Sequence, residues 1–182
     1  MRYEKKVLLK DGRTCTIRSG SEADVAEVLS NFVLTHGQTD FLTTYPDEMP
    51  FTLEEETEFL KKREESDSEV ELLAEVDGTL AGTAGVHRVG KAEKVRHRAS
   101  FGISVDKAWW GLGIGRALTN ACIECAKAAG YLQLELEVVA DNEAAMNLYR
   151  SVGFIECGRN PKGFWSRFTG WQEIVMMRLE LT

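Results

Sequence analysis

One stretch constrains this chain more than any other: residues 101–118, FGISVDKAWWGLGIGRAL. Phe101, Ile103 and Val105 alternate with Gly102 and Ser104, the period of a half-buried strand. After a short connector come Gly111, Gly113 and Gly115, each one residue apart, and then a helical pattern through Leu118, Ile123 and Ala126. Strand, glycine turn and helix in this order offer unpaired backbone N–H groups to an anion. Glycine has no Cβ, so a phosphate can come close to the main chain. The helix start adds orphan donors and a partial positive charge. The candidate cradle is therefore Gly111, Leu112, Gly113, Ile114, Gly115 and Arg116, with Ile103, Ser104 and Val105 leading into it. The glycines by themselves also fit a tight turn that holds no ligand.

A dinucleotide-binding fingerprint would need G-x-G-x-x-G. Counted from Gly111 the last position is Arg116, and counted from Gly113 it is Leu118, so both registers fail. Glu135 does stand at a suitable distance for a ribose-binding acid, which leaves a nucleotide-dependent oxidoreductase as an alternative. The order of elements counts against it. Val7 to Leu9 and Thr14 to Ile17 flank Asp11-Gly12, a hairpin signal. Ser21 caps a helix marked by Val25, Val28, Leu29, Phe32 and Val33 and ending near Gly37. Residues 37–51 carry no period and form a long loop, a place where function concentrates. Thr52 and Glu55 make a capping box for a second, charged helix. Val70 to Val76 and Leu80 to Val86 form a hairpin across Asp77-Gly78, and 95–105 is a third antiparallel strand. A dinucleotide fold would instead begin with a βαβ unit.

The cradle helix ends at Gly130. Leu132 to Val138 alternate as the next strand, so strand–helix–strand here implies a parallel pair with a right-handed crossover. Asp141 caps a short helix through Ser151, Gly153 stops it, and closing strands follow at 154–157 and 171–181. Residues 159–170, RNPKGFWSRFTG, read as a basic, aromatic loop at an acceptor site, at a subunit interface or simply on the surface. The fold class is α/β of the α+β type, a mixed and mostly antiparallel central sheet flanked by about four helices, in one domain spanning 1–182.

A formal net charge of −7 leaves no basic excess for releasing nucleic-acid counterions, so no nucleic-acid partner is expected. No apolar run reaches membrane-spanning length, and the first residues are too charged for a signal-peptide core. No membrane partner and a cytoplasmic location follow. Of Cys15, Cys122, Cys125 and Cys157, only Cys122 and Cys125 are closely spaced, and they lie within a helix with no histidine nearby. Reduced thiols are expected and no metal.

WGLGIGRAL resembles motif A, R/Q-x-x-G-x-G/A, of the GNAT superfamily of N-acetyltransferases. VADNEAAMNLYRSVGFIECG (139–158) resembles the family's motif B, and the likeness covers roughly residues 14–182. It implies acetyl-CoA as co-substrate, its pyrophosphate on the cradle, and its pantetheine arm in a gap where the parallel strands splay apart. It also implies an amine acceptor, small molecule or peptide, bordered by the first inter-helix loop, where Phe41, Tyr45 and Asp47 are candidates together with Asp40 and Glu48. Relatives commonly form homodimers. Trp110 departs from the family's Arg or Gln, a change that a main-chain cradle should survive.

Catalysis of acetyl transfer needs a held thioester, a neutral amine and a proton for the leaving thiolate. Backbone N–H groups of the 101–105 strand can polarise the thioester carbonyl. The resemblance makes Tyr149 the proton donor, with Asn142 bonding the pantetheine arm or a water. Without it, Tyr149 reads as a core aromatic and Asn142 as a helix cap. The family's base is often a Glu on the strand before the cradle, here aligned with Ser100. RHRASFG offers no carboxylate, so the expectation is a base-free site with water held by Ser100, and His87 and His97 in reserve. A non-catalytic acyl-CoA-binding module remains the other alternative.

Overall fold

The computed structural model describes residues 1–48 and 51–181. Met49, Pro50 and Thr182, and with them part of the expected 37–51 loop and the end of the 1–182 span, lie outside the described residues. Strands β1 (Glu4–Leu8) and β2 (Thr14–Ser19) form the first hairpin, and helices α1 (Val25–Gly37) and α2 (Leu53–Glu65) follow. Then come β3 (Val70–Val76), β4 (Thr79–Arg88), β5 (Arg98–Val105), α3 (Ile114–Ala128), β6 (Gln133–Val139), α4 (Glu143–Ser151), β7 (Ile155–Ser166) and β8 (Gly170–Glu180). The eight strands make one sheet in the order β1-β2-β3-β4-β5-β6-β8-β7. Among the described residues only β5 and β6 run parallel, so the mixed, mostly antiparallel sheet, with four helices among those residues, is as expected.

The alternation of β3 sorts its residues between two layers. Val70, Leu72, Ala74 and Val76 face α3, whose Ile114, Leu118, Ala121, Cys122 and Cys125 are buried against them. Leu73 faces the other way, into a cluster with Val25 of α1 and Leu60 of α2. Leu118 is fully buried, and its truncation to Ala would cost about 2–5 kcal/mol by transfer and cavity formation.

Three local readings change. Ser21 caps a 3₁₀ turn, Glu22–Asp24, which only then enters α1. Asn142, not Asp141, is the N-cap of α4, accepting from Ala145 N–H at 3.2 Å. Residues 159–170 are not a loop: β7 runs from Ile155 to Ser166 beside β8, and the turn is only 167–169. The Asn-Pro-Lys-Gly run is absorbed by the register shift between Asn160 and Phe164, and a second shift falls at Cys157, between Glu156 and Gly158; such bulges relieve residues that cannot keep the ladder.

The parallel pairing of β5 with β6 is short. It joins Arg98 to Gln133, Ala99 to Leu134 and Ser100 to Glu135, and stops. Beyond it β5 stays paired to β4 as far as Val105, while β6 stays paired to β8 as far as Val139. The sheet is therefore open in its middle, and the opening faces the start of α3.

Candidate active site

At the mouth of that opening Gly111 and Gly113 take φ of +78° and +104°, and Gly113 is the N-cap of α3. A Cβ at Gly113 would meet nothing within 4 Å, so the backbone there faces open space. The first helical bond runs from Ala117 N–H to Gly113 O at 3.0 Å. The N–H groups of Ile114, Gly115 and Arg116 thus have no partner within the helix. Gly115 has a different reason for its size, since a Cβ there would stand 3.4 Å from Leu148 Cδ2 of α4. Leu112 is held from behind, its carbonyl accepting from Lys10 N–H of the first hairpin. Trp110, in the family's Arg/Gln place, donates its indole N–H to Val105 O at 2.7 Å. It ties the strand end to the turn.

The same bond reveals how β5 is oriented. His97 O accepts from Leu132 and Gln133 N–H on the β6 side, and Val105 O is aimed to that side as well. Because backbone direction alternates, the N–H groups of Phe101, Ile103 and Val105 point toward β6. Where the pairing has stopped, those of Ile103 and Val105 face the gap. Ser104, paired with Thr83, spends its amide on β4; its hydroxyl lies 3.5 Å from Thr83 Oγ1 on the α1–α2 face.

A cleft of about 600 Å³ runs from the glycine turn along β5, walled by Ile103, Ser104, Val105, Trp110, Asn142 and Tyr149 among others. A second cavity of about 700 Å³ continues through the gap, past Ser100, Glu135 and Cys157. Phe41, Leu42, Ile103, Asn142 and Tyr149 line both. Tyr149 sits where the two meet, its ring edge-on to Phe101 with centroids 6.0 Å apart. Burial holds its phenol well above the ordinary range, and among the described residues its hydroxyl makes no hydrogen bond. Asn142 uses its carbonyl oxygen as the cap, which leaves its Nδ2 for the cleft.

A main-chain donor set at a helix start, next to a narrow slot between strands, fits a pyrophosphate followed by a thin pantetheine-like arm. Gly111 to Arg116 could hold the phosphates, and Ile103 and Val105 could hold the acyl end.

Phe41 stands at the site, whereas Tyr45 and Asp47 wall neither cavity. They bind the tip of the β7–β8 hairpin: Arg167 Nη1 lies 2.8 Å from both Asp47 carboxylate oxygens, and Arg167 N–H donates to Tyr45 Oη at 2.7 Å. Asp40 accepts from Ser166 Oγ at 2.6 Å and from Gln172 Nε2. His97 stays outside both cavities. Ser100 lies in the second, in the row His87–Ser100–Glu135, and Glu135 is spent on Arg98 at 2.5 Å. A residue missing from the sequence-derived candidates is Glu71, whose carboxylate reaches over β4 toward Gly102.

A sheet opened between parallel strands beside a glycine cradle defines an acyl-CoA N-acyltransferase architecture. Residues 34–154 match the family model described as Acetyltransferase (GNAT) family, and the chain belongs to that family. Members of the family are N-acetyltransferases, and the family's co-substrate is acetyl-CoA. N-alpha-acetyltransferase RimI of Mycobacterium tuberculosis is 41% identical over 101 residues, 56% of this chain and 60% of its own length. L-amino acid N-acyltransferase MnaT of Escherichia coli is 26% identical over 110 residues, 60% of this chain and 63% of its own. The chain thus matches just under two thirds of these relatives. A GNAT acetyltransferase structure from Streptococcus pneumoniae aligns with a TM-score of 0.87 at 30% identity, covering 91% of this chain and 99% of that one. The structure of yncA from Salmonella typhimurium with its cofactor acetyl-CoA aligns at 0.82 and 22% identity, covering 92% and 94%, a likeness of fold.

Proposed function

We propose that this enzyme moves the acetyl group of acetyl-CoA to a primary amine by direct transfer in a ternary complex, with residues 1–182 acting as one domain. The observation that carries the reading is Tyr149, buried at the junction of two cavities. The cleft beside the glycine turn takes acetyl-CoA from one end, and the acceptor reaches the thioester from the other. No covalent enzyme intermediate is needed when both ends are open at once. The Ile103 and Val105 amides stabilise the oxyanion, and Tyr149 gives its proton to the leaving sulfur. Its raised pKa makes the phenol a poor acid toward a thiol near ~8.5, so the transfer depends on the thiolate being desolvated and held in place.

Acceptors with an α-amino group, free or peptidic, are favoured by the likeness to an N-alpha-acetyltransferase and an L-amino acid N-acyltransferase. The buried thiols Cys15, Cys122 and Cys125 suit a reducing, cytoplasmic setting. Thiol release from acetyl-CoA with a panel of amino acids, an alanyl tripeptide and spermidine tests the reading. Turnover with one class of amine is expected. Tight acetyl-CoA binding without thiol release from any amine would leave only a binding module.

A further inference from the structure

The sheet face beneath α1 and α2 is apolar where Leu73 meets Val25, Val28 and Leu60. It changes character two residues back along β3. Glu71 lies on this face, paired with Gly85 of β4, which is paired in turn with Gly102 of β5. Neither neighbour has a side chain, and the carboxylate occupies the vacancy: a Cβ on Gly85 would stand 2.5 Å from Glu71 Oε2. A Cβ on Gly102 would meet nothing within 4 Å. The glycine row is thus an open slot from Glu71 to the strand whose far edge carries the free amides of Ile103 and Val105.

Two hollows converge on Glu71. One of about 400 Å³ also reaches Leu42, Gly102 and Ile103, residues at the edge of the acetyl-CoA cleft. The other, about 170 Å³, runs under Phe59 to Glu56, a buried acid on α2. The groups around Glu71 are Glu56 and Arg63 from α2, His36 from α1, Thr83 and His87 from β4, and Ser104 from β5. Arg63 could have neutralised it but is bound to Glu69 at 2.6 Å. A half-buried carboxylate whose neighbouring cation is engaged elsewhere is costly. It makes sense where a cation is due to arrive.

We propose that Glu71 is the general base of the acetyl transfer, and that the slot over Gly85 and Gly102 receives the primary ammonium of the acceptor. The assignment rests on the β5–β6 cleft being the acetyl-CoA site. Glu71 takes one proton from the ammonium and passes it to water in the groove. The freed lone pair forms the C–N bond at the thioester carbon. The C–S bond then breaks with its electrons on sulfur, and the thiolate takes the Tyr149 proton. The second nitrogen proton, lost as the amide forms, restores the phenol. Burial pushes Glu71 up to about 8, with Glu56 adding to the rise and Arg63 and Thr83 opposing it. That brings the base close to an α-ammonium near ~8, the match that proton transfer favours.

The test follows thiol release across pH with an acceptor from the panel, beside calorimetry of acetyl-CoA binding. In the native enzyme kcat/KM should rise through an inflection near pH 8. Glu71→Gln should lower kcat/KM about 10²-fold, leave acetyl-CoA affinity unchanged, and leave a rise that follows the acceptor's own ammonium. Glu71→Asp keeps a carboxylate but draws it back from Gly102; it should lose about tenfold and keep the inflection. A folded Glu71→Gln enzyme with native rate and profile overturns Glu71 as base while the acetyl-CoA reading stands. If Glu71→Gln does not fold, a Glu71→Asp enzyme with native kcat/KM overturns it instead. A native enzyme that neither binds acetyl-CoA nor releases thiol overturns the underlying reading, and this assignment with it.

Discussion

Burial moves Tyr149 and Glu71 in the same direction, and the proposed reaction uses the two shifts differently. Tyr149 stays protonated at any working pH, so it is always loaded as a donor. Tyr149→Phe keeps the ring against Phe101 and removes only that proton; kcat should fall about 10²-fold with acetyl-CoA affinity intact. Native turnover in the variant would make Tyr149 a packing residue. For Glu71 the shift has a cost in stability. Its folded pKa, about 8, lies above the ordinary 4.5. Between these values the folded state therefore binds more protons than the unfolded one, and stability contributed by the protonated form is lost as pH rises. Glu71→Gln should melt higher than the native protein at pH 9, with the difference shrinking toward pH 5. An advantage that does not vary with pH would mean the carboxyl is not shielded from water. Glu71 was out of reach of the sequence for a geometric reason. Counting back from the Asp77-Gly78 turn pairs Glu71 with Ala84. The register shift at Ala74/Glu75 pairs it with Gly85 instead; Gly82 inside the strand marks an irregularity but does not say which residue is the extra one. Attention then falls on Ser100, which lies on the expected strand but carries no charge.

At the scale of elements, the strand, glycine turn and helix of the candidate cradle were legible because the signals are local. A strand period, spaced glycines and a helix period sit within one stretch, and Gly111 and Gly113 adopt the left-handed backbone such a turn requires. Gly113→Asp should abolish acetyl-CoA binding by putting a carboxylate at the proposed phosphate site. Gly113→Asn, similar in size and tolerant of positive φ, is the control that separates charge from strain. Equal calorimetric affinity in the Asp variant and the native protein would move the phosphates elsewhere. The loop between α1 and α2 was legible only as irregular. Tyr45, Asp47 and Asp40 read as acceptor contacts because nothing in their neighbourhood shows a partner some 120 residues away. That partner is the β7–β8 turn, which holds the loop carrying Phe41 and Leu42. Arg167→Ala should loosen that hold and raise KM with kcat nearly unchanged. Because the pairs are exposed, the same change should appear in the native enzyme as salt is raised. A KM indifferent to both would detach the hairpin from substrate entry.

For the whole molecule, an eight-stranded sheet usually shelters its central amides best, because opening them requires the domain to open. The short β5–β6 ladder reverses that order here. Ile103 and Val105 lie in the middle of the sheet, yet their N–H groups face a gap rather than a neighbouring strand. In deuterated water they should exchange orders of magnitude faster than their β3 and β4 neighbours, as if they belonged to a loop. Saturating acetyl-CoA should then slow them selectively, with the Ile114–Arg116 amides slowing in parallel. The pattern of slowed amides would trace the bound molecule from phosphate to thioester, read from the protein's own protons.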